Sequence, residues 1–192
     1  MDIPTLENYR VRLSPLSLSN YEHLETIAFE KDLIYYSPSD ISTPVALRHY
    51  IENAISEYES GTSLPFIIYD KLKKAYAGCT RFGGIDTKNK VLHIGWTWIG
   101  KTFQATGLNQ HMKLLMLDYA FETLGFEKVE FRIDERNQKS RKAVEKLGAT
   151  LEGILRKDLI MKDGFRRSTC CYGILKEEWA EIKTIYFKDL KN

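Results

Sequence analysis

The sequence has no run of eighteen apolar residues and no basic-then-apolar leader after Met1. The expectation is a cytoplasmic chain that neither spans a membrane nor carries a secretory signal. Only three cysteines occur. Cys170 and Cys171 are adjacent in an expected strand, where they point to opposite faces, and Cys79 stands alone, so no disulfide framework is implied. His23, His49, His93 and His111 show neither i, i+4 pairing nor a C-x-x-C partner, and no metal is assigned. Neither charge is in excess: 28 Lys and Arg against 26 Asp and Glu leave +2, far from the polyelectrolyte footprint that nucleic acid or an anionic membrane demands. Internal repeats, low-complexity tracts and linkers rich in Pro, Gly or Ser are missing as well.

What is present suits one buried core. With 192 residues, 43% of them hydrophobic, the chain is expected to form a single domain over 1–192. "YRVRLSPLS" alternates as a first strand, and Ser19 or Asn20 can cap a helix carrying Leu24, Ile27 and Ala28. Thr43 as N-cap and Pro44 at the first helical position open a second helix, striped by Leu47, Tyr50, Ile51, Ala54, Ile55 and Tyr58 and ended by Gly61. Strands over 65–70, 75–85 and 91–99 should form an antiparallel meander, and strict alternation in the third puts Ile94, Trp96 and Trp98 on one face. A long amphipathic helix is expected from Gly107 to Thr123, then the half-buried strand "KVEFRID" and a shorter helix from Asn137 to Leu147. Next come a strand around Leu151 to Leu155, a hairpin turning at Asp163-Gly164, and a last helix carrying Trp179, Ile182 and Ile185. The order of elements predicts an α+β fold around one sheet.

The stretch "IGWTWIGKTFQATGLNQ" holds two competing phosphate patterns. Gly95 to Thr102 matches the nucleotide-loop pattern G-x-x-x-x-G-K-[ST]. Its variable positions, Trp96, Thr97, Trp98 and Ile99, are bulky or β-branched and favour an extended strand over a curled nest, and the helical period starts only after Gly107. Gln104, Ala105, Thr106, Gly107, Leu108 and Asn109 are instead small or turn-competent and precede a long helix, whose first N–H groups have no internal partners and sit at the positive end of its dipole. From spacing alone, an ordinary strand-to-helix turn fits this second pattern equally well.

From about Leu64 to Leu175 the sequence resembles the GNAT superfamily of acyl-CoA-dependent N-acetyltransferases and, within it, the Rim type that acetylates ribosomal-protein N-termini. Four pieces carry the resemblance: "IGWTWIG"; "QATGLN", similar to the family's Q/R-x-x-G-x-G/A; "ERNQKSRKAVEKLGATLEG"; and "DGFRRSTCCYGIL". It implies the GNAT fold, a mixed and mostly antiparallel sheet flanked by helices, with acetyl-CoA as acyl donor and a primary amine as acceptor: a protein N-terminus, a polyamine or a small molecule. Asn109 departs from the family's usual Gly or Ala. Val144 stands where many members have the Tyr that protonates the leaving thiolate.

The resemblance further implies that open backbone groups at Trp98 and Ile99 pair with the pantetheine and supply the oxyanion donor. The N–H groups from Gln104 to Asn109 take the pyrophosphate, Asn137 fixes the pantetheine arm, and Ser140 donates a proton to the departing sulfur. Lys139, Arg141 and Lys142 could meet the adenosine 3′-phosphate or simply form an exposed helix face. Trp96 is expected to line the acceptor site. Glu130, Asp134, His93 and Glu152 all lie on strands near the presumed centre, and the sequence does not choose a general base among them. A non-catalytic acyl-CoA-binding module of the same fold stays open as an alternative, as does homo-oligomer formation.

Overall fold

The computed structural model describes residues 2–190. In chain order its elements are β1 (Leu6–Glu7), β2 (Val11–Pro15), a 3-10 turn (Tyr21–Leu24) running into the one-turn helix α1 (Glu25–Ala28), α2 (Pro44–Glu59), β3 (Leu64–Asp70), β4 (Ala75–Asp86) and β5 (Val91–Ile99). They continue with α3 (Leu108–Asp118), β6 (Lys128–Asp134), α4 (Gln138–Glu145), β7 (Thr150–Ile160), β8 (Arg166–Leu175) and α5 (Lys176–Tyr186). The strands form one eight-stranded sheet in the order β1-β2-β3-β4-β5-β6-β8-β7. Every neighbouring pair is antiparallel except β5 and β6. This is the α+β, mostly antiparallel arrangement that the order of elements predicts.

Local sequence accounts for most elements. Thr43 Oγ1 accepts the Ala46 N–H at 3.1 Å, and Pro44 occupies the first turn of α2, whose Leu47, Tyr50, Ile51 and Ala54 are buried. β3 is buried along nearly its whole length, as a strand covered on both faces must be. The covers can be read from β4: Thr80 reaches Met116 of α3, while its neighbour Arg81 lies under the Tyr50 ring of α2. The two helices therefore sit on opposite faces of the sheet.

Three expectations are corrected. Asn20 does not cap a helix with its side chain; Oδ1 accepts the Ser17 N–H and Nδ2 donates to Pro15 O, so the residue folds its own loop, and the helix that follows is short. Strand β7 runs to Ile160 and carries a register irregularity between Leu155 and Leu159, near Lys157 at φ +51°. In α5, Trp179 and Ile182 are buried but Ile185 is exposed. Among the described residues, no helix is long and apolar enough to cross a membrane.

Candidate active site

The parallel pair β5/β6 is joined only at Val91↔Lys128, Leu92↔Val129 and His93↔Glu130. Beyond that point the strands part. β5 keeps β4 on its outer edge as far as Gly78↔Ile99, and β6 keeps β8 as far as Asp134↔Thr169. The facing edges of Ile94–Ile99 and Phe131–Asp134 thus form the main-chain walls of a cleft, where backbone groups not taken by neighbouring strands or by the Tyr50 and Gln104 side chains can meet an extended ligand.

One wall is bulged. β4 advances two residues from Cys79 to Arg81 while β5 advances three, from Trp98 to Gly95, and Trp96 takes up the extra step at φ +49°. The bulge breaks the alternation expected for β5. Trp96 and Trp98 do share the α2 face, but Ile94 lies on the other face, paired with Phe82, whose ring meets Tyr119 just beyond α3. Trp98 is 5% exposed and Trp96 38% exposed, so only Trp96 offers a ring to the surroundings.

That ring is held in place. It lies on Gly83, where an added Cβ would come within 2.2 Å of a ring carbon, and on the guanidinium of buried Arg81 at 4.9 Å. Arg81 in turn is held by Glu57 at 2.9 Å and by the Tyr50 face. The Trp96 carbonyl accepts from the Tyr50 hydroxyl at 3.3 Å.

At the mouth of the cleft stands the loop before α3. Ala105 and Gly107 have φ of +57° and +85°. Gln110 and His111 N–H both return to Gly107 O, whereas the N–H groups of Ala105 through Asn109 meet no protein acceptor among the described residues. A Cβ on Gly107 would meet nothing within 4 Å. Open amides at a helix N-terminus, with free space before them, suit a phosphate group.

Neighbours brace the loop. Thr106 Oγ1 donates to Phe103 O at 2.7 Å and accepts from Arg10 at 3.3 Å, and Arg10 is itself paired with buried Asp70. The Gln104 N–H, expected among the open amides, instead donates to Lys101 O at 3.2 Å, and Gln104 acts through its side chain: Nε2 donates to Ile99 O at 2.7 Å, and Oε1 accepts from Lys139 on the far side of the cleft. Leu108 is buried under the loop and Asn109 is half-buried.

The NTP pattern has no matching structure. Trp96 to Ile99 lie within β5, and α3 begins only at Leu108. Lys101 Nζ is spent on Lys31 O at 2.7 Å and its N–H on Glu30 at 2.8 Å, so this lysine ties β5 to the segment after α1.

On the second wall, Asn137 caps α4, its Oδ1 accepting the Ser140 N–H at 3.1 Å, which leaves its Nδ2 hydrogens and a second Oδ1 lone pair for another partner. The Ser140 side chain is half-buried in the first turn, and Val144, one turn on, is buried. Of the basic residues on α4, Arg141 turns inward to Tyr172 and Glu135 O. A cavity of about 280 Å³ lies beside the end of β6, between the α1–α2 segment and the β7–β8 turn, lined in part by Leu33, Tyr35, Asp40, Arg136 and Met161.

The candidate bases separate sharply. Asp134 is occupied by Arg136, which holds both of its oxygens, at 3.0 and 2.7 Å. Glu152 pairs with Lys128 at 2.8 Å. His93 and Glu130 meet at the last joined pair of β5 and β6, Nε2 lying 2.8 Å from Oε2. Burial lowers the His93 pKa, and Arg132 lowers it further, against the opposing pull of Glu130. Burial acts to raise Glu130, but Lys128, His93 and Arg132 together hold it below the ordinary carboxylate value. The pairing of these two residues was hidden in the sequence, because 37 positions of chain separate them and only the parallel register joins them. Lys113 was missed outright. It is buried on α3 with Nζ 3.1 Å from Thr97 Oγ1, and its one sequence signal is a charge inside an apolar helical run.

The chain belongs to the GNAT acetyltransferases: the family model described as "Acetyltransferase (GNAT) domain" matches residues 10–150. It is similar to the Bacillus subtilis (strain 168) protein named "Putative ribosomal N-acetyltransferase YdaF", with 30% identity over 117 residues, a match that spans 61% of this chain and 61% of YdaF. A GCN5-related N-acetyltransferase from Brucella melitensis superposes with a TM-score of 0.90 at 26% identity, covering 100% of this chain and 87% of that one. Mycobacterium smegmatis RimJ, solved in complex with CoA-disulfide, shares the fold, with a TM-score of 0.81 at 20% identity over 95% of this chain and 94% of its own.

Proposed function

We propose that this protein is an acetyl-CoA-dependent N-acetyltransferase that acetylates a primary amine, with a protein N-terminus the acceptor class favoured by its likeness to YdaF. The observation that carries the reading is the parting of β5 and β6 after His93↔Glu130, beside the unpaired amides of Ala105 to Asn109. RimJ, of the same fold, is complexed with CoA-disulfide. In this reading the open strand edges bind the pantetheine amides, and the loop before α3 binds the pyrophosphate. Acetyl-CoA supplies the acetyl thioester.

The protein's own contribution is placement, charge stabilisation and proton transfer. Holding donor and amine in line is worth roughly 7–11 kcal/mol in favourable cases. A backbone N–H at Trp98 or Ile99 is the oxyanion donor, a contribution of about 3–4 kcal/mol. Ser140, in the first turn of α4, gives its proton to the departing sulfur directly or through water, Asn137 fixes the pantetheine arm, and Trp96 walls the acceptor side. Val144 is buried, and no phenol stands at that position. This favours a second reading, an acyl-CoA-binding module without turnover.

Thermal shift with acetyl-CoA, CoA and Mg-ATP tests the binding half. Both thioester and free CoA should raise Tm, by about 2.7 kcal/mol of stabilisation at a hundredfold excess over Kd, while Mg-ATP should not. Lys101→Ala should leave the shift intact. Release of free thiol on adding N-terminal-Ala peptides, spermidine or simple amines then separates the enzyme from the module, since binding without release fits only the module.

A further inference from the structure

The amine must lose its proton somewhere, and the shape of the cleft limits where. On the α3 face, the region around Thr97 is filled by the buried side chains of Lys113 and Met116. On the α2 face, β5 presents His93, Gly95 and the exposed ring of Trp96; beneath them on β4 lie Gly83 and Gly84 under His93, and buried Arg81 under Gly95 and Trp96. An acceptor entering there meets the closed end of the cleft, where His93 and Glu130 each retain 18% side-chain exposure.

We propose that His93, backed by Glu130, takes the proton from the acceptor amine. The inference rests on the acetyltransferase reading above. A nitrogen lone pair facing a carboxylate oxygen at 2.8 Å would be repelled, so Nε2 carries the hydrogen and Nδ1 keeps the lone pair. Glu130 cannot turn away freely, because Lys128 lies 3.2 Å from its Oε1 and Arg132 lies 3.5 Å from its Oε2. The charged groups around the imidazole are thus Glu130, Lys128 and Arg132 on β6, with Glu152 on β7 reached through Lys128. Cys171 on β8, paired with Arg132, and Asp134 farther along β6, paired with Arg136, share this face, and the Arg81–Glu57 pair lies beyond Trp96.

The protons balance. An ammonium gives one proton to His93 Nδ1, which passes it to solvent. The freed lone pair forms the C–N bond, the C–S bond breaks with its electron pair going to sulfur, and the second nitrogen proton ends on that sulfur through Ser140 or water. The lowered pKa of His93 keeps the imidazole in its proton-accepting form at neutral pH.

The test follows thiol release against pH in the full chain, using whichever acceptor the wild type accepts best among N-terminal-Ala peptide, N-terminal-Ser peptide and spermidine. Below the amine's own pKa, kcat/KM should fall about tenfold per pH unit (one proton), steepening to about a hundredfold (two protons) below the His93 pKa. His93→Gln should abolish the steepening and lose about 100-fold in kcat/KM, with the CoA thermal shift and the KM for acetyl-CoA unchanged. Arg132→Gln should move the break to higher pH, because Arg132 depresses His93. Imidazole nitrogen NMR of the unliganded protein should show His93 with its hydrogen on Nε2.

A His93→Gln variant that keeps both its rate and the two-proton slope overturns the proposal, as does a hydrogen on Nδ1. So does loss of the CoA shift in His93→Gln and Glu130→Gln alike, which would assign the pair to the architecture of the cleft. A wild type that binds CoA but releases thiol with no amine overturns the parent reading instead, and this proposal falls with it.

Discussion

Lys113 is an ammonium group with a hydroxyl for company. Its Nζ donates to Thr97 Oγ1, which lies 2.7 Å from Thr80 Oγ1, and no carboxylate reaches it among the described residues. Burial pushes its pKa down to about 7 from an ordinary 10.5. Between those values the unfolded chain binds a proton that the folded chain does not, so the penalty on folding grows as pH falls from 10.5 and levels off below about 7. Lys113→Met should therefore stabilise the fold near neutral pH by on the order of a few kcal/mol, read as a higher Tm. The gain should shrink toward zero as melts are repeated at pH values approaching 10.5. Chemistry at this scale was only partly legible in the sequence. Residue types and helical spacing announced the Thr43 cap and the open amides before α3, both local features. That Lys113 lies under β5, and that His93 touches Glu130, depends on packing between distant elements, which no spacing encodes.

Among the elements, β4 and β5 must approach closely where the cleft opens, and Gly78 permits it. Gly78 sits at φ +147°, and a Cβ there would fall 1.9 Å from the Trp98 carbonyl oxygen, a backbone atom that cannot swing aside. Gly78→Ala should cost about 1–3 kcal/mol of stability and weaken acetyl-CoA binding as well, because relief of the clash displaces the strand end carrying Trp98 and Ile99. Paired thermal melts and calorimetric titration with CoA would show both losses. A melt that falls while CoA affinity holds would place Trp98 outside the donor site. The meander, α2 and the start of α3 were readable because alternation, an N-cap and a glycine are local signals. The bulge at Trp96 was not: it is defined by the count of residues on the facing strand, and the four bulky or β-branched residues from Trp96 to Ile99 read as plain alternation from one strand alone.

The molecule as a whole is a sheet in two unequal parts, β1 to β5 and β6 to β8, and their backbones meet at three residue pairs. A second tie runs through α5. Trp179, 1% exposed, donates from Nε1 to Asp118 Oδ1 at 3.1 Å and packs against Phe121, with ring centroids 5.6 Å apart. Trp179→Ala should cost about 3–5 kcal/mol, and native-state hydrogen exchange should quicken at the amides joining residues 91–93 to 128–130 before it quickens within β3. Uniform acceleration throughout the sheet would instead mark the two parts as one cooperative unit. The strand order itself was beyond reach of the sequence, since β8 inserts between β6 and β7 and nothing local signals that exchange. With so short a seam, the two covers should, on the acetyltransferase reading, spread about β5 and β6 once the Lys139–Gln104 contact across the cleft lets go. In that reading, the ease of spreading bears on how quickly a spent carrier leaves and a fresh one slides in.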